Sequence, residues 1–150
     1  MEDAFIRKKQ PYNLDAEQSV IGSMIMDRDA IVDVSDILTK DDFYSAQNAI
    51  LYENMIELFK EGMAVDLITL NNRLREKNVP EDVAGMSYIA DIIAAVPTSA
   101  NAKYYAKIVA DKAVLRRMIK MCEDVEKDRY LDTDDVDGLL ETAESGIYKI

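Results

Sequence analysis

The sequence predicts an all-α fold: a compact bundle of about five helices followed by a long antiparallel two-helix hairpin. Three observations predict it. Only five Gly and three Pro occur in 150 residues, too few for the many turns that a fold of short strands requires. From Thr98 to Tyr130 the chain runs without either residue, and the composition of that run suits a helix. Close to the C-terminus Val136, Leu140, Ala143, Ile147 and Ile150 step by four, three, four and three, the seam of a helix that packs along another helix.

Each element follows from local chemistry. Residues 1–12 carry no periodic pattern and read as a flexible tail. Asn13 and Asp15 are cap-type residues, and with Glu17 in the first turn they open a helix from about Leu14 to Met26 whose apolar face is Val20, Ile21, Met24 and Ile25. Gly22 weakens that helix, which predicts close packing by a neighbouring element at that point. A second helix is expected over about Ala30 to Leu38. The Lys40–Tyr44 loop is expected to pin its two aromatics, Phe43 and Tyr44, to the core. Ser45 caps a third helix, Ala46 to Glu61, with Gly62 as its C-terminal stop. Asp66 caps a fourth, through Lys77, ended by Asn78-Val79-Pro80, and a fifth spans about Met86 to Ala95. Together 13–96 read as a globular head and 97–150 as the hairpin.

The hairpin begins at Pro97, with the Thr98 and Ser99 hydroxyls as a helix start. A helix from there to Tyr130 spans ~45 Å at ~1.5 Å per residue, longer than a small head needs. Tyr105, Ile108, Leu115, Ile119, Cys122 and Val125 recur along it as an apolar stripe, interrupted by Lys112. Such a stripe has to be buried, and part of it is expected to bury against a second copy of the chain. Thr133, followed by Asp134 and Asp135, is expected to cap the last helix, from about Asp134 to Lys149.

Composition narrows the function classes. At 49% hydrophobic and 31% charged residues the chain is of globular type. It has no apolar run of membrane-spanning length, and the N-terminus lacks the apolar core of a signal peptide, so the expected location is the cytoplasm. There is no His, which removes the commonest general base and metal ligand. The glycines are scattered, with no phosphate-cradling loop. The single Cys122 has no imidazole to activate it and reads as a buried small hydrophobe. A net charge of -11 disfavours direct binding of nucleic acid. The charge is uneven: Lys103–Lys120 holds six basic residues and one acid, whereas Glu123–Ile150 holds ten acids and three bases. No catalytic, cofactor-binding or metal-binding residues are expected, and the chain reads as a protein that works by contacts.

Five segments carry a resemblance. They are Pro11-Tyr12-Asn13-Leu14-Asp15-Ala16-Glu17-Gln18 continuing to Gly22, Asp42-Phe43-Tyr44 with Ile50-Leu51-Tyr52, Gly62-Met63-Ala64-Val65-Asp66-Leu67-Ile68-Thr69, Ala84-Gly85-Met86-Ser87-Tyr88, and Pro97-Thr98-Ser99-Ala100-Asn101 with Tyr104-Tyr105-Ala106-Lys107 and Leu115-Arg116-Arg117. In this order and spacing they resemble the N-terminal domain of DnaB-type replicative DNA helicases. Ala84-Gly85 stands where that family commonly has a Gly pair, and Asn48 where it commonly has a His. The resemblance implies that the chain is a fragment whose RecA-like ATPase domain, with ATP and Mg, lies in the rest of the parent. It implies pairing of hairpins, a trimer of dimers as the collar of a hexameric ring, and docking of the C-terminal domain of primase and, in some systems, a helicase loader. The expected self-association residues are Tyr105, Ile108, Leu115 and Ile119 on the long arm and Val136, Leu140, Ala143 and Ile147 on the short one. Half of these are alternatively expected to hold the two arms of one hairpin together. Arg116, Arg117 and Lys120 are the expected rim contacts. The alternative reading is a stand-alone acidic helical adaptor or regulator with the same fold; a carboxylate enzyme is a further class that the sequence does little to favour.

Overall fold

The structure, a computed structural model, describes residues 10–129 and 135–150. Seven α-helices and one 3-10 turn occur among these residues, and no strand. The helices are α1 (Leu14–Met26), α2 (Arg28–Ser35), α3 (Ala46–Lys60), α4 (Leu67–Glu76), α5 (Met86–Ala95), α6 (Ala102–Arg129) and α7 (Val136–Tyr148), with the 3-10 turn at Lys40–Asp42. The chain divides into two compact units, Tyr12–Ala110 and Asp111–Ile150, the second including Pro11. The division falls inside the continuous α6, later than the boundary expected at Pro97. Residues 1–9 of the expected tail lie outside the described residues.

Side-chain caps start most helices of the head, and backbone N–H groups close them. Asn13 Oδ1 accepts from the Ala16 amide at 2.9 Å and opens α1. Asp27 closes α1 with its own N–H and opens α2 by accepting from the Asp29 amide at 2.9 Å. Because one residue serves both ends, α2 starts two positions before the expected Ala30. It ends at Ser35, and Leu38 reaches the core from the turn that follows. Asp66 and Thr69 form a reciprocal capping box at α4. At the end of α3 the Gly62 and Met63 amides donate to the Phe59 and Leu58 carbonyls, with Gly62 at φ 74°. The end of α4 repeats this with Asn78, at φ 58°, and Val79. Both are Schellman stops, and Asn tolerates the left-handed conformation better than most side chains do.

α1 is the central element of the head and packs on α2, α3 and α5. Its core side chains Val20, Ile21 and Met24 meet Ile31 and Val34 of α2, Leu51 and Met55 of α3, and Ile89 and Ile92 of α5 in one cluster. The expected close approach at Gly22 is present: a Cβ there would lie 2.5 Å from Cγ2 of Val96 and 2.9 Å from its Cβ. Phe43 is buried as expected, but Tyr44 is not. It stacks on Tyr12 with ring centroids 4.4 Å apart, a surface pairing available because the backbone of Tyr44 is itself fixed by Glu17.

Glu17 is the principal polar feature of the core. It is 1% exposed, and its carboxylate accepts from the Tyr44 amide (2.8 Å), the Ser45 amide (3.2 Å) and Asn48 Nδ2 (3.1 Å). An anion at the N-terminus of α3 suits the helix dipole. Asn48 Oδ1 in turn accepts from the Tyr88 hydroxyl at 2.6 Å, which brings α5 into the same network.

Candidate assembly surface

α6 joins the head through small side chains. Ala102, Ala106 and Val109, at spacings of four and three, are buried in the head core, while the larger Tyr105 and Ile108 pack only partly against it. The long stripe expected through Tyr105 and Ile108 is therefore not the most buried face. Alanines let helices approach closely and fill that role instead. Lys112 is half-buried, and the helix continues through it without a break.

In the second unit α7 packs along α6. A Cβ at Gly146 would meet Met121 at 2.8 Å, and Ala143 shares a cavity of about 400 Å³ with Met121, Cys122, Val125 and Glu126. Moving forward along α7 thus moves backward along α6, so the two arms are antiparallel, as expected from their short connection. Asp135, not Thr133, caps α7, accepting from the Gly138 amide at 3.0 Å; Thr133 and Asp134 lie outside the described residues.

The arms divide the expected seam in two. Gly138, Leu139, Ala143 and Gly146 are the half-shielded positions of α7, and Ile150 is half-shielded just beyond it. Val136, Leu140 and Ile147 stand at 61%, 63% and 61% exposure, so they do not hold the hairpin to itself. On α6 Leu115 and Ile119 are exposed as well, and so is Met118, which the sequence reading passed over. Its signal was present, since Met118 follows Leu115 by three positions. Tyr148, 91% exposed, was also missed. Cys122 is exposed rather than buried, lining the open cavity that it shares with Ala143. Each arm thus carries an apolar stripe open to solvent: Leu115, Met118 and Ile119 on one, Val136, Leu140 and Ile147 on the other.

The three expected rim cations are partly engaged within the chain. Arg116 donates to the Pro11 carbonyl at 2.8 Å. Lys120 pairs with Asp124 at 2.8 Å, and that hydrogen bond raises the lysine's pKa above its ordinary value. Arg117 is half-buried. Among the described residues no group of three His, Cys, Asp or Glu side chains is placed to hold a metal ion, and no helix is long and apolar enough to cross a membrane.

A head organised around a buried Glu17 and the Gly22 crossing, followed by an open-faced hairpin, has counterparts among known proteins. Residues 9–111 match the family model of the DnaB-like helicase N terminal domain. The chain belongs to that family. Among DnaB-type relatives it is 38% identical over 150 residues to the replicative DNA helicase DnaC of Bacillus subtilis (strain 168), covering 100% of this chain and 33% of that protein. It is 36% identical to the replicative DNA helicase DnaB of Geobacillus stearothermophilus, with the same coverage. The chain therefore spans about a third of the length of these curated relatives. The crystal structure of the N-terminal domain of DnaB helicase from Mycobacterium tuberculosis superimposes with a TM-score of 0.88 at 35% identity, covering 95% of this chain and 100% of that one. The N-terminal domain of DnaB helicase from Helicobacter pylori, whose structure was described with its interactions with primase, shares the fold at a TM-score of 0.67 and 18% identity, over 77% of this chain and 90% of that one. The all-α expectation and the family resemblance both hold.

Proposed function

We propose that this domain is the assembly and docking module of a bacterial replicative DNA helicase and acts in the cytoplasm. Its hairpin pairs with that of a second copy, three such pairs form the collar of a hexameric ring, and the collar receives the C-terminal domain of primase and, in some systems, a helicase loader. The helicase's ATP and Mg are handled by the remaining two thirds of the parent. The observation that supports this most directly is the pair of solvent-facing apolar stripes on the hairpin. Isolated apolar side chains on a surface are ordinary, but two stripes at helical spacing on adjoining arms mark a contact face. The self-association set is Leu115, Met118 and Ile119 with Val136, Leu140 and Ile147, while Tyr105 and Ile108 serve the head.

Solution mass by light scattering across a range of protein concentrations tests the assembly half of this reading. A dimer or a higher even assembly is expected. A strict monomer at high concentration would overturn self-association by this domain alone. Calorimetric titration with the C-terminal domain of primase tests the docking half, and an absence of binding to the assembled domain removes it.

A further inference from the structure

The open cavity between the arms of the hairpin, about 400 Å³, is lined by Met121, Cys122, Val125 and Glu126 of α6 and Ala143 of α7. Apart from Glu126 this lining is apolar or a thiol, and the volume suits side chains rather than a single water, whose share is ~30 Å³. The arms hold one another weakly: no residue of α7 is fully buried. Pro11 belongs to the same unit, and its carbonyl is fixed by Arg116 Nη1 at 2.8 Å. Glu123 and Glu126 follow Arg116 by seven and ten positions, so both lie towards its side of α6, on the way to the cavity. Both are exposed and hold no ion pair among the described residues. Of the other charges on this stretch, Lys120 is taken up by Asp124, Lys127 is exposed, and Asp128 and Arg129 cancel.

We propose that the segment Ala4-Phe5-Ile6-Arg7-Lys8-Lys9 of the same chain straps the two arms: Phe5 and Ile6 fill the cavity, and the three cations lie against Glu123 and Glu126. Its length permits this. Measured from Pro11 at ~3.3 Å per extended residue, Lys9 to Arg7 reach ~7–13 Å, and Ile6 and Phe5 reach ~17–20 Å. Along α6 at ~1.5 Å per residue, Glu123 and Glu126 stand ~11 and ~15 Å beyond Arg116, and the cavity residues ~8–15 Å beyond it. The basic run therefore falls level with the two unpaired acids. The apolar pair has the slack to turn round the helix and enter the cavity. Exposed ion pairs of this kind fix where the segment lies more than how tightly it holds, and burial of Phe5 and Ile6 supplies the attraction. The strap needs one chain only, so it stands or falls independently of pairing between copies.

Cys122 is the chain's single cysteine and lines the cavity, so its alkylation rate reads the cover directly. The test follows its reaction with iodoacetamide, an uncharged reagent, in the whole chain. Phe5→Asp/Ile6→Asp and Arg7→Glu/Lys8→Glu/Lys9→Glu are each expected to react at least about tenfold faster than wild type, because the thiol is then open in every molecule rather than in a minority. NaCl raises the wild-type rate by screening the ion pairs. Adding Glu123→Lys/Glu126→Lys to the second variant restores opposed charges and brings the rate back to within about threefold of wild type. An unchanged rate in Phe5→Asp/Ile6→Asp overturns the proposal. So does a wild-type rate that falls as protein concentration rises, since that assigns the cover to a second copy. Phe5→Cys gives a second readout: mild oxidation is expected to close a disulfide to Cys122 within one chain, and a disulfide found only between chains overturns the proposal. Solution mass and helical spectra at the labelling concentration are expected to match wild type. Faster labelling confined to variants whose mass has also fallen assigns the protection to pairing, which likewise overturns it.

Discussion

Replacing Gly22 with Ala sets helix propensity against packing, and the structure says which wins. Gly22 sits within α1, where Ala is favoured by ~1 kcal/mol. The added Cβ would lie 2.5 Å from Cγ2 of Val96, 2.9 Å from Cβ of Val96 and 3.3 Å from Cγ2 of Ile92. Carbon atoms pack comfortably at ~3.5–4.0 Å, so the overlap approaches 1 Å. Rotating the Val96 side chain relieves the first contact but not the second, because a Cβ moves only with its backbone. That backbone closes α5 and precedes Pro97, so α1 and α5 have to separate. Overpacking of this kind costs ~1–3 kcal/mol, and the fixed Cβ places this case at the upper end. The net effect is a loss of ~1–2 kcal/mol, a fall in melting temperature of about 3–6 °C for a chain of this size. Thermal unfolding followed by circular dichroism measures it. Val96→Ala in the same chain removes the Cγ2 contact and recovers part of the difference between Gly and Ala at position 22. A melting temperature that rises in Gly22→Ala would refute the reasoning, since it would mean the α1–α5 crossing yields at little cost.

Ile119→Asp and Leu140→Asp each leave the monomer fold intact, because both side chains are exposed, yet weaken self-association by at least tenfold through an unpaired charge in an apolar face; unchanged solution mass in both would count against the assigned surface. Glu17→Ala strands the Tyr44 and Ser45 amides and the Asn48 amide in the core and costs ~3 kcal/mol, read by urea unfolding; a loss below about 1 kcal/mol would show that the network is replaceable. Burial, with Asp42 nearby, pushes Tyr52 from its usual 10 up to about 12. The folded chain therefore keeps that proton to higher pH than the unfolded chain does. Its contribution is complete below pH 10 and is lost as pH rises towards 12. Tyr52→Phe is expected to flatten the alkaline fall in melting temperature across that window, at the cost of ~1 kcal/mol at neutral pH for the hydrogen bond to the Leu38 carbonyl. An equally steep fall in the variant would exclude Tyr52 as its source.

Most of the architecture was legible because helix signals are local. Asn13, Ser45 and Asp66 cap where cap residues are expected to, and Gly62 and Asn78 stop their helices where left-handed residues do. α1 and α5 have the bounds that their periodicity predicts. The side of each helix that meets a partner was less legible. On α7 the adjacent Leu139 and Leu140 make two phases of the same period equally apolar, and only the packing of Gly146 on Met121 selects Leu139 for the inner face. On α6 the buried positions in the head are mainly alanines, which carry little weight in a count of large apolar residues. The role of Glu17 was hidden for another reason. Its partners lie 27 to 31 positions away, and nothing local distinguishes a carboxylate that caps a distant helix from one solvated in its own first turn.

That buried carboxylate also bears on how narrowly the sequence specifies one packing. An apolar core tolerates small slides, because leucine against isoleucine is much the same after a shift. Glu17 does not. A slide of α3 by one turn moves Ser45 and Asn48 by ~5.4 Å and leaves an ionised group without donors in surroundings that cannot solvate it. Tyr88 extends the same penalty to α5. Compact arrangements that satisfy the hydrophobic pattern but misalign three helices are thereby lifted above the native one as a class. The head gains a gap between its structure and its near neighbours, which oily contacts alone do not supply.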